Sequence, residues 1–309
     1  MIYGNITGLK KRISKIILGN DFQKKFIKAE KLWDFYFSKG GNTFDNSIYY
    51  RDGWSDQLLS KWIKSRSLEK EIVLISKIGQ ENTKPSEILE LLNISLDRYD
   101  VDSIDILILH HDNINVPIGE FIDSLNELKK KKLIKSFGAS NLSKARYLES
   151  LEWSKKNNKD TFNILSNNLS LAKIEKPLWK DCVSSNNDEF LRLLEKNKTS
   201  HFAWSSQARG FFMEDNFINK ILRRKFHQDL KKSFISESNL ERKKRAKILA
   251  KKYQCSANDV ALSWVMCQNF PSYAIIGPKN INQLKYSLNS LNIELTSKEI
   301  EWLNLKSDC

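Results

Sequence analysis

The sequence predicts an α/β fold, a closed (β/α)8 barrel, on three observations. Eight short runs rich in Ile, Val, Leu and Phe alternate with amphipathic stretches almost to the end of the 309 residues. Most of those runs are apolar without a break, as strands covered by helices on both faces of a parallel sheet are. Among eleven glycines there is no Gly-x-Gly-x-x-Gly and no Walker-type loop, which argues against the rival architecture, an open doubly wound sheet. No internal repeat, low-complexity segment or shift of composition divides the chain, so residues 1–309 are expected to form one domain.

In order, the expected strands are Lys15–Gly19, Thr43–Ser47, Ile72–Lys77, Ile104–His110, Ile134–Asn141, Phe162–Asn167, His201–Ser206 and Tyr273–Gly277. Between them, Phe22–Lys39, Pro85–Tyr99, Ile118–Lys131, Leu142–Asn157 and Ala257–Gln268 repeat their apolar residues at helical spacing. Ser55 and Ser143 stand where helix-capping hydroxyls are expected. Two connections are longer than a barrel needs: Ser170 to Lys198, with its Pro177-Leu178-Trp179 segment, and Phe211 to Ser238. Long loops on such a scaffold most often cover a site.

Composition excludes several classes. With 40% hydrophobic residues and eight tryptophans the chain has the material for a large core. The opening residues lack the apolar stretch of a signal peptide, and no run approaches the ~18 apolar residues of a membrane span. Cys182, Cys255, Cys267 and Cys309 are far apart with no Cys-x-x-Cys, which argues against structural zinc and disulfides and for a reducing cytoplasm. The net charge of +14 raises nucleic-acid binding as an alternative. Its clusters, Lys129-Lys130-Lys131-Lys132 and Arg242-Lys243-Lys244-Arg245, lie however in helical patterns where a solvated face is the simpler account.

The chemistry gathers at strand ends. Gly40-Gly41 turns the chain into the strand Thr43–Ser47, which carries Asp45, and Tyr50 follows in the loop. The next strand ends on Lys77 and the one after on His110. In a barrel these C-terminal ends converge on one mouth. A phenol titrates near pH 10, so it becomes a useful acid beside a cation; an Asp45–Lys77 pair would aim that cation at it. A phenol and an imidazole converging on one oxygen suit the reduction of a carbonyl, where negative charge develops on that oxygen, without a metal. Taken singly each residue has a plainer role: Tyr49 competes with Tyr50 for the phenol, and His110 beside His111 and Asp112 also fits a structural pair or a carboxylate-backed metal ligand.

At this point the chain resembles the aldo-keto reductase superfamily, from Ile17-Leu18-Gly19 to the segment holding Leu295-Thr296. The family's Phe-Asp-Thr-Ala-x-x-Tyr element stands as Phe44-Asp45-Asn46-Ser47-Ile48-Tyr49-Tyr50, which selects Tyr50 over Tyr49. Leu74-Ile75-Ser76-Lys77-Ile78-Gly79 and the Asp-x4-His ending on His110 follow, then Lys132-Leu133-Ile134-Lys135-Ser136-Phe137-Gly138-Ala139-Ser140-Asn141. The resemblance implies reversible, nicotinamide-dependent reduction of an aldehyde, ketone or sugar. Tyr50 would be the proton donor, Lys77 and Asp45 its tuning pair, and His110 would orient the carbonyl. It also implies that Ser140 and Asn141 hold the nicotinamide carboxamide, with Ser166 where the family has Gln and Leu169 in place of a common Tyr.

The loop Trp204-Ser205-Ser206-Gln207-Ala208-Arg209-Gly210-Phe211 is similar to the family's pyrophosphate loop, with Trp204 as the ring that stacks on nicotinamide. Gly277-Pro278-Lys279-Asn280 matches the segment at the adenosine 2′-phosphate. Lys279 there favours NADPH, with NADH as the alternative, and a solvated loop lysine is the plainer account. Gln283 and Ser287 match adenine-contacting positions. Trp54 and Trp179 are candidates to line a substrate pocket, or are tryptophans tucked under long loops. The expectation is thus a cytoplasmic NADPH-dependent reductase acting on a small carbonyl compound or sugar, with no nucleic-acid or membrane partner. A catalytically silent nucleotide-binding subunit is the alternative.

Overall fold

The computed structural model describes residues 1–213 and 232–307. Eight parallel strands close into a barrel: β1 (Ile16–Gly19), β2 (Thr43–Ser47), β3 (Val73–Ile78), β4 (Ile104–Leu109), β5 (Ile134–Ser140), β6 (Ile164–Ser166), β7 (Ser200–Ala203) and β8 (Ser272–Ile276). Each pairs with its neighbour in sequence, and β8 returns to β1 through Ala274 opposite Ile16. Helices fill the connections: α1 (Phe26–Ser38), α2 (Trp54–Arg66), α3 (Ile88–Tyr99), α4 (Ile118–Lys130), α5 (Lys144–Asn157), α6 (Asp188–Asn197), α7 (Glu237–Lys252) and α8 (Ala257–Met266). After β8 come α9 (Ile281–Asn289) and α10 (Ser297–Leu303). The eight expected strands are all present, and none of the described helices is long and apolar enough to cross a membrane.

Side chains of a strand alternate between its two faces, and that alternation sorts the core into two layers. Ile17, Val73, Ile75, Ile106, Ile108, Ile164, Phe202, Tyr273 and Ile275 fill the barrel interior. On the other face of the strands, Leu18, Phe44, Leu74, Leu107, Phe137, Leu165, Ala203 and Ile276 point outward against the helices. Each fully buried Leu, Ile or Phe stabilises the fold by about 1.5–3 kcal/mol. The bottom of the barrel is closed by a feature the sequence did not reveal, an antiparallel pair of Tyr3–Gly4 with Ile13–Ser14. It presents Ile6 and Ile13 to the interior core; two-residue strands leave no periodic trace.

Two boundaries near the mouth differ from expectation. β7 stops at Ala203 instead of Ser206, because the backbone turns left-handed at Ser205 (φ 49°) and again at Ala208 and Arg209. Ser143 caps α5 as expected, accepting the N–H of Arg146 at 3.2 Å. Ser55 does not cap: a tight turn over Tyr50–Gly53, left-handed at Arg51, Asp52 and Gly53, starts α2 two residues earlier. The Ser55 hydroxyl donates instead to the Asn20 carbonyl at 3.0 Å.

Of the two long connections, 170–198 folds back on the barrel mouth, where Ser184 bridges to Asn168 and Asn187 caps α6. Most of the other, residues 214–231, lies outside the described residues. The basic clusters sit across the C-terminal end of α4 and on α7, where Lys129 pairs with Asp160 at 2.6 Å and Arg245 with Glu241 at 3.0 Å.

Candidate active site

The same period-2 alternation assembles the site. Asp45 and Ser47 share a face of β2 opposite to the outward Phe44; Lys77 follows Val73 and Ile75; His110 follows Ile106 and Ile108. All therefore point into the barrel at its C-terminal end, with Ser140, Trp204 and Gly277 reaching the same mouth from β5, β7 and β8. There they border a cavity of about 1440 Å³, on whose wall Asp45, Tyr50, Lys77 and His110 all lie.

Lys77 donates to Asp45 Oδ2 at 2.8 Å, and both side chains are 3% exposed. Burial works against the ammonium, but Asp45 and then Tyr50 outweigh it and hold its pKa above that of an ordinary lysine. Asp45 Oδ1 is buried with no partner, so the carboxylate depends on that single charge-assisted bond. The Tyr50 phenol is pushed up to about 12, chiefly by burial; Lys77 lowers it, while Asp45 and Asp21 raise it. Lys77 thus makes phenolate cheaper without making Tyr50 more acidic than a free tyrosine, and the phenol is fully loaded with its proton at neutral pH.

His110 meets Tyr50 edge-on, with ring centroids 5.8 Å apart. Burial, then Lys77 and His111, hold its pKa well below the usual value, so the ring is neutral. Tyr49 stacks on the other side of His110 at 6.4 Å, and its hydroxyl accepts the Gly79 N–H at 3.2 Å. That separates the two tyrosines: Tyr49 buttresses the imidazole, and Tyr50 faces the lysine. Asp112 is held by Arg146 through bonds of 2.9 and 3.0 Å. Among the described residues no three His, Cys, Asp or Glu converge as metal ligands.

Along the rest of the cavity wall stand Ser140, Asn141, Ser205, Ser206, Gln207 and Arg209, and across from them Gly277, Lys279, Gln283 and Ser287. Asn141, left-handed at φ 54°, donates to the His110 carbonyl at 3.2 Å and accepts the Val183 N–H at 3.3 Å. Ser140 donates to the Ser166 carbonyl at 2.6 Å. Ser206 is tied to the Ile275 carbonyl at 2.7 Å, and Gln207 reaches over to Ser287 at 3.1 Å. Gln283 accepts the Lys279 N–H at 2.8 Å, and the Lys279 ammonium lies 5.2 Å from the Phe22 ring centroid. A Cβ at Gly277 would come to 2.7 Å from the Phe22 ring, so the glycine makes room for Phe22 at this end of the cleft.

Trp204 rests on the interior core, and Trp179 lies over it with centroids 4.7 Å apart and planes 32° apart. Arg209 covers the next layer, 5.8 Å from the Trp179 ring. Two of the expected site residues lie elsewhere. Ser166 is fully buried beneath Ser140 and off the cavity wall, its hydroxyl without a partner. Trp54 is half-exposed, donates to the Lys24 carbonyl at 3.4 Å and does not line the cavity.

The sequence reading missed Asn20, Asp21 and Phe22 after β1, and Lys247, Lys251 and Asn258 from α7 and α8. The first three follow an inward strand end, a signal that was available. The packing angle that brings α7 to the mouth leaves none. The residues present fit an extended nicotinamide dinucleotide: a flat indole at the catalytic end, hydroxyl and amide groups beside it, and a cation at the far rim.

The comparisons agree with this geometry. The model of the Aldo/keto reductase family matches residues 18–307. An NADP(+) aldo-keto reductase of Schizosaccharomyces pombe is 23% identical, over 84% of this chain and 77% of its own. Norsolorinic acid reductase of Aspergillus flavus is 22% identical, over 86% and 68%. A thermostable aldo-keto reductase, solved with the inhibitor epalrestat, superposes with a TM-score of 0.75 at 20% identity, over 99% of this chain and all of that one. With the family model spanning nearly the whole barrel, the chain belongs to the aldo/keto reductase family and is an NAD(P)H-dependent oxidoreductase.

Proposed function

We propose that this enzyme reduces the carbonyl of an aldehyde, ketone or sugar, with NADPH as cofactor and Tyr50 as proton donor. The observation that carries the reading is the buried Lys77–Asp45 pair at 2.8 Å beside a protonated Tyr50 and a neutral His110, all on one cavity wall. When bound, the nicotinamide supplies a hydride. The chain's own residues do the rest. His110 gives a neutral N–H to the carbonyl oxygen and orients it. Tyr50 delivers its proton as charge builds on that oxygen, and Lys77 balances the phenolate left behind. Asp45 fixes the ammonium so that no reorganisation is needed at the moment of transfer.

Ser140 and Asn141 would hold the carboxamide, Trp204 the ring, Ser205, Ser206, Gln207 and Arg209 the pyrophosphate, and Lys279 the 2′-phosphate. Gln283 and Ser287 already bond to their own turn and to Gln207, which gives them a shaping role at the adenine end. The deciding experiment is a fluorescence titration with NADPH and NADH, followed by turnover against aldehydes, ketones and sugars. Micromolar NADPH binding with much weaker NADH binding is expected, the gap closing in Lys279→Ala. Binding without turnover on any carbonyl would favour a silent nucleotide-binding subunit, and no binding to folded protein would sink the proposal.

A further inference from the structure

We infer that Arg98, which lies off the cavity wall, holds the turn that carries Tyr50 and is a positioning residue for the reaction. Tyr50 does not stand on a strand. It opens the turn Tyr50–Gly53, whose backbone is left-handed at Arg51 (φ 53°), Asp52 (φ 54°) and Gly53 (φ 85°). Residues with side chains take that conformation at a cost, and keep it where their surroundings hold it. Two guanidinium groups fasten this stretch. Arg51 donates to the Asp21 carbonyl at 2.7 Å on the exposed side. Arg98, half-buried on α3, donates through Nη1 to the Ile48 carbonyl at 2.6 Å, and a Cβ on Gly53 would run into its guanidinium. Arg98 therefore touches the chain both before Tyr50 and after it.

Arg98 is itself fixed. Its Nη1 also lies 3.5 Å from Oδ2 of Asp56, a buried residue of α2. Tyr99 donates to Asp56 Oδ1 at 2.9 Å, and Asn46, next to Asp45 on β2, donates to the Tyr99 hydroxyl at 3.1 Å. The contacts thus start on β2, cross α3 and α2, and return to the main chain at Ile48. Burial raises Asp56 to about 6, while Tyr99 and Arg98 lower it, so the carboxylate is mostly charged above pH 7. A guanidinium has only protons to give and a carbonyl only lone pairs to receive, so the direction of the Arg98–Ile48 bond is fixed. A charged donor also makes it one of the stronger bonds a turn can have. Tyr50 needs that hold: a proton donor must stand within hydrogen-bond reach of its acceptor, and a shift of about 1 Å costs about 10²-fold in rate.

The effect on turnover rests on the role proposed for Tyr50; the hold on the turn does not. Arg98→Met alone would strand the Asp56 carboxylate and destabilise the barrel for that reason. Asp56→Asn, which keeps the guanidinium, is therefore the reference, and Asp56→Asn with Arg98→Met is the probe. Hydrogen–deuterium exchange without cofactor should quicken over residues 48–53 in the probe relative to the reference, and stay unchanged over β4. On an aldehyde, ketone or sugar that wild type turns over, kcat should fall by about 10- to 100-fold relative to the reference, with the NADPH dissociation constant unchanged. In a Tyr50→Phe background the same change should cost nothing further, because a residue that acts through Tyr50 has no hydroxyl left to position. Equal exchange over 48–53 in probe and reference overturns the hold. Quickened exchange with kcat unchanged overturns the positioning role, and so does a loss repeated in full in Tyr50→Phe, which marks general structural damage. Wild-type turnover in Tyr50→Phe, or no turnover on any carbonyl, removes the proposed function and the positioning role with it, while exchange over 48–53 still decides whether Arg98 holds the turn.

Discussion

At the residue scale the site divides into groups that act on substrate and groups that hold them. Tyr50→Phe removes only the acidic hydroxyl, so carbonyl reduction should fall by at least about 10²-fold. The NADPH dissociation constant should stay unchanged; wild-type turnover in that variant would show that another group supplies the proton. Lys77 is different, because its neighbour cannot be left alone. Lys77→Met strands the Asp45 carboxylate in the core, where Oδ1 already lacks a partner, and should cost about 3–5 kcal/mol of stability. Lys77→Met with Asp45→Asn should recover much of that loss. Equal urea midpoints for the single and double variants would show that the pair is not coupled. Asp45, Lys77 and His110 stood out in the sequence only together, at three successive strand ends, since each taken singly has a plainer role. Ser47 shares their face but was not read, since a strand-end serine is ordinary in any protein.

Elements show where legibility stops. All eight strands were readable, most of them as the unbroken apolar run of a buried parallel strand. The turns around them were not. The left-handed steps at Arg51, Ala208 and Arg209 fall on residues that carry no turn signature, although Asp52-Gly53 and Ser205 beside them do. The 170–198 connection was expected to cover the site, but its detailed contact was beyond sequence reasoning: Val183 N–H on Asn141 and Trp179 over Trp204. That contact has a consequence for binding. If the outer face of Trp204 takes the nicotinamide, Trp179 has to leave it first, and the population with Trp179 in place lowers the apparent affinity in proportion. Trp179→Ala should therefore bind NADPH several-fold more tightly than wild type in an equilibrium titration. Weaker binding would instead make Trp179 a wall of the bound state.

The whole molecule was legible as a barrel because eight βα units of this length have few other ways to close. Nothing in it announced which histidines would be sealed inside. His201, on β7, is fully buried, with its ring edge-on to Phe270 and Nε2 at 3.1 Å from the Ser185 hydroxyl, while Nδ1 has no partner. Burial lowers its pKa to about 3. An unfolded histidine titrates near 6.5, so between about pH 6.5 and 3 the unfolded chain binds a proton that the folded chain refuses. Stability contributed by this group is complete above the unfolded value and is lost progressively as pH falls towards the folded one. Between pH 7 and pH 5 the loss is about 2 kcal/mol from His201, and His110, lowered in the same direction, adds to it. His201→Gln keeps a donor within reach of Ser185 but has no proton to gain. Urea unfolding at pH 7 and pH 5 should show a difference smaller by about 2 kcal/mol in His201→Gln than in wild type. Equal differences in the two proteins would mean that the ring takes its proton in the folded barrel, and that the core around β7 opens to admit it.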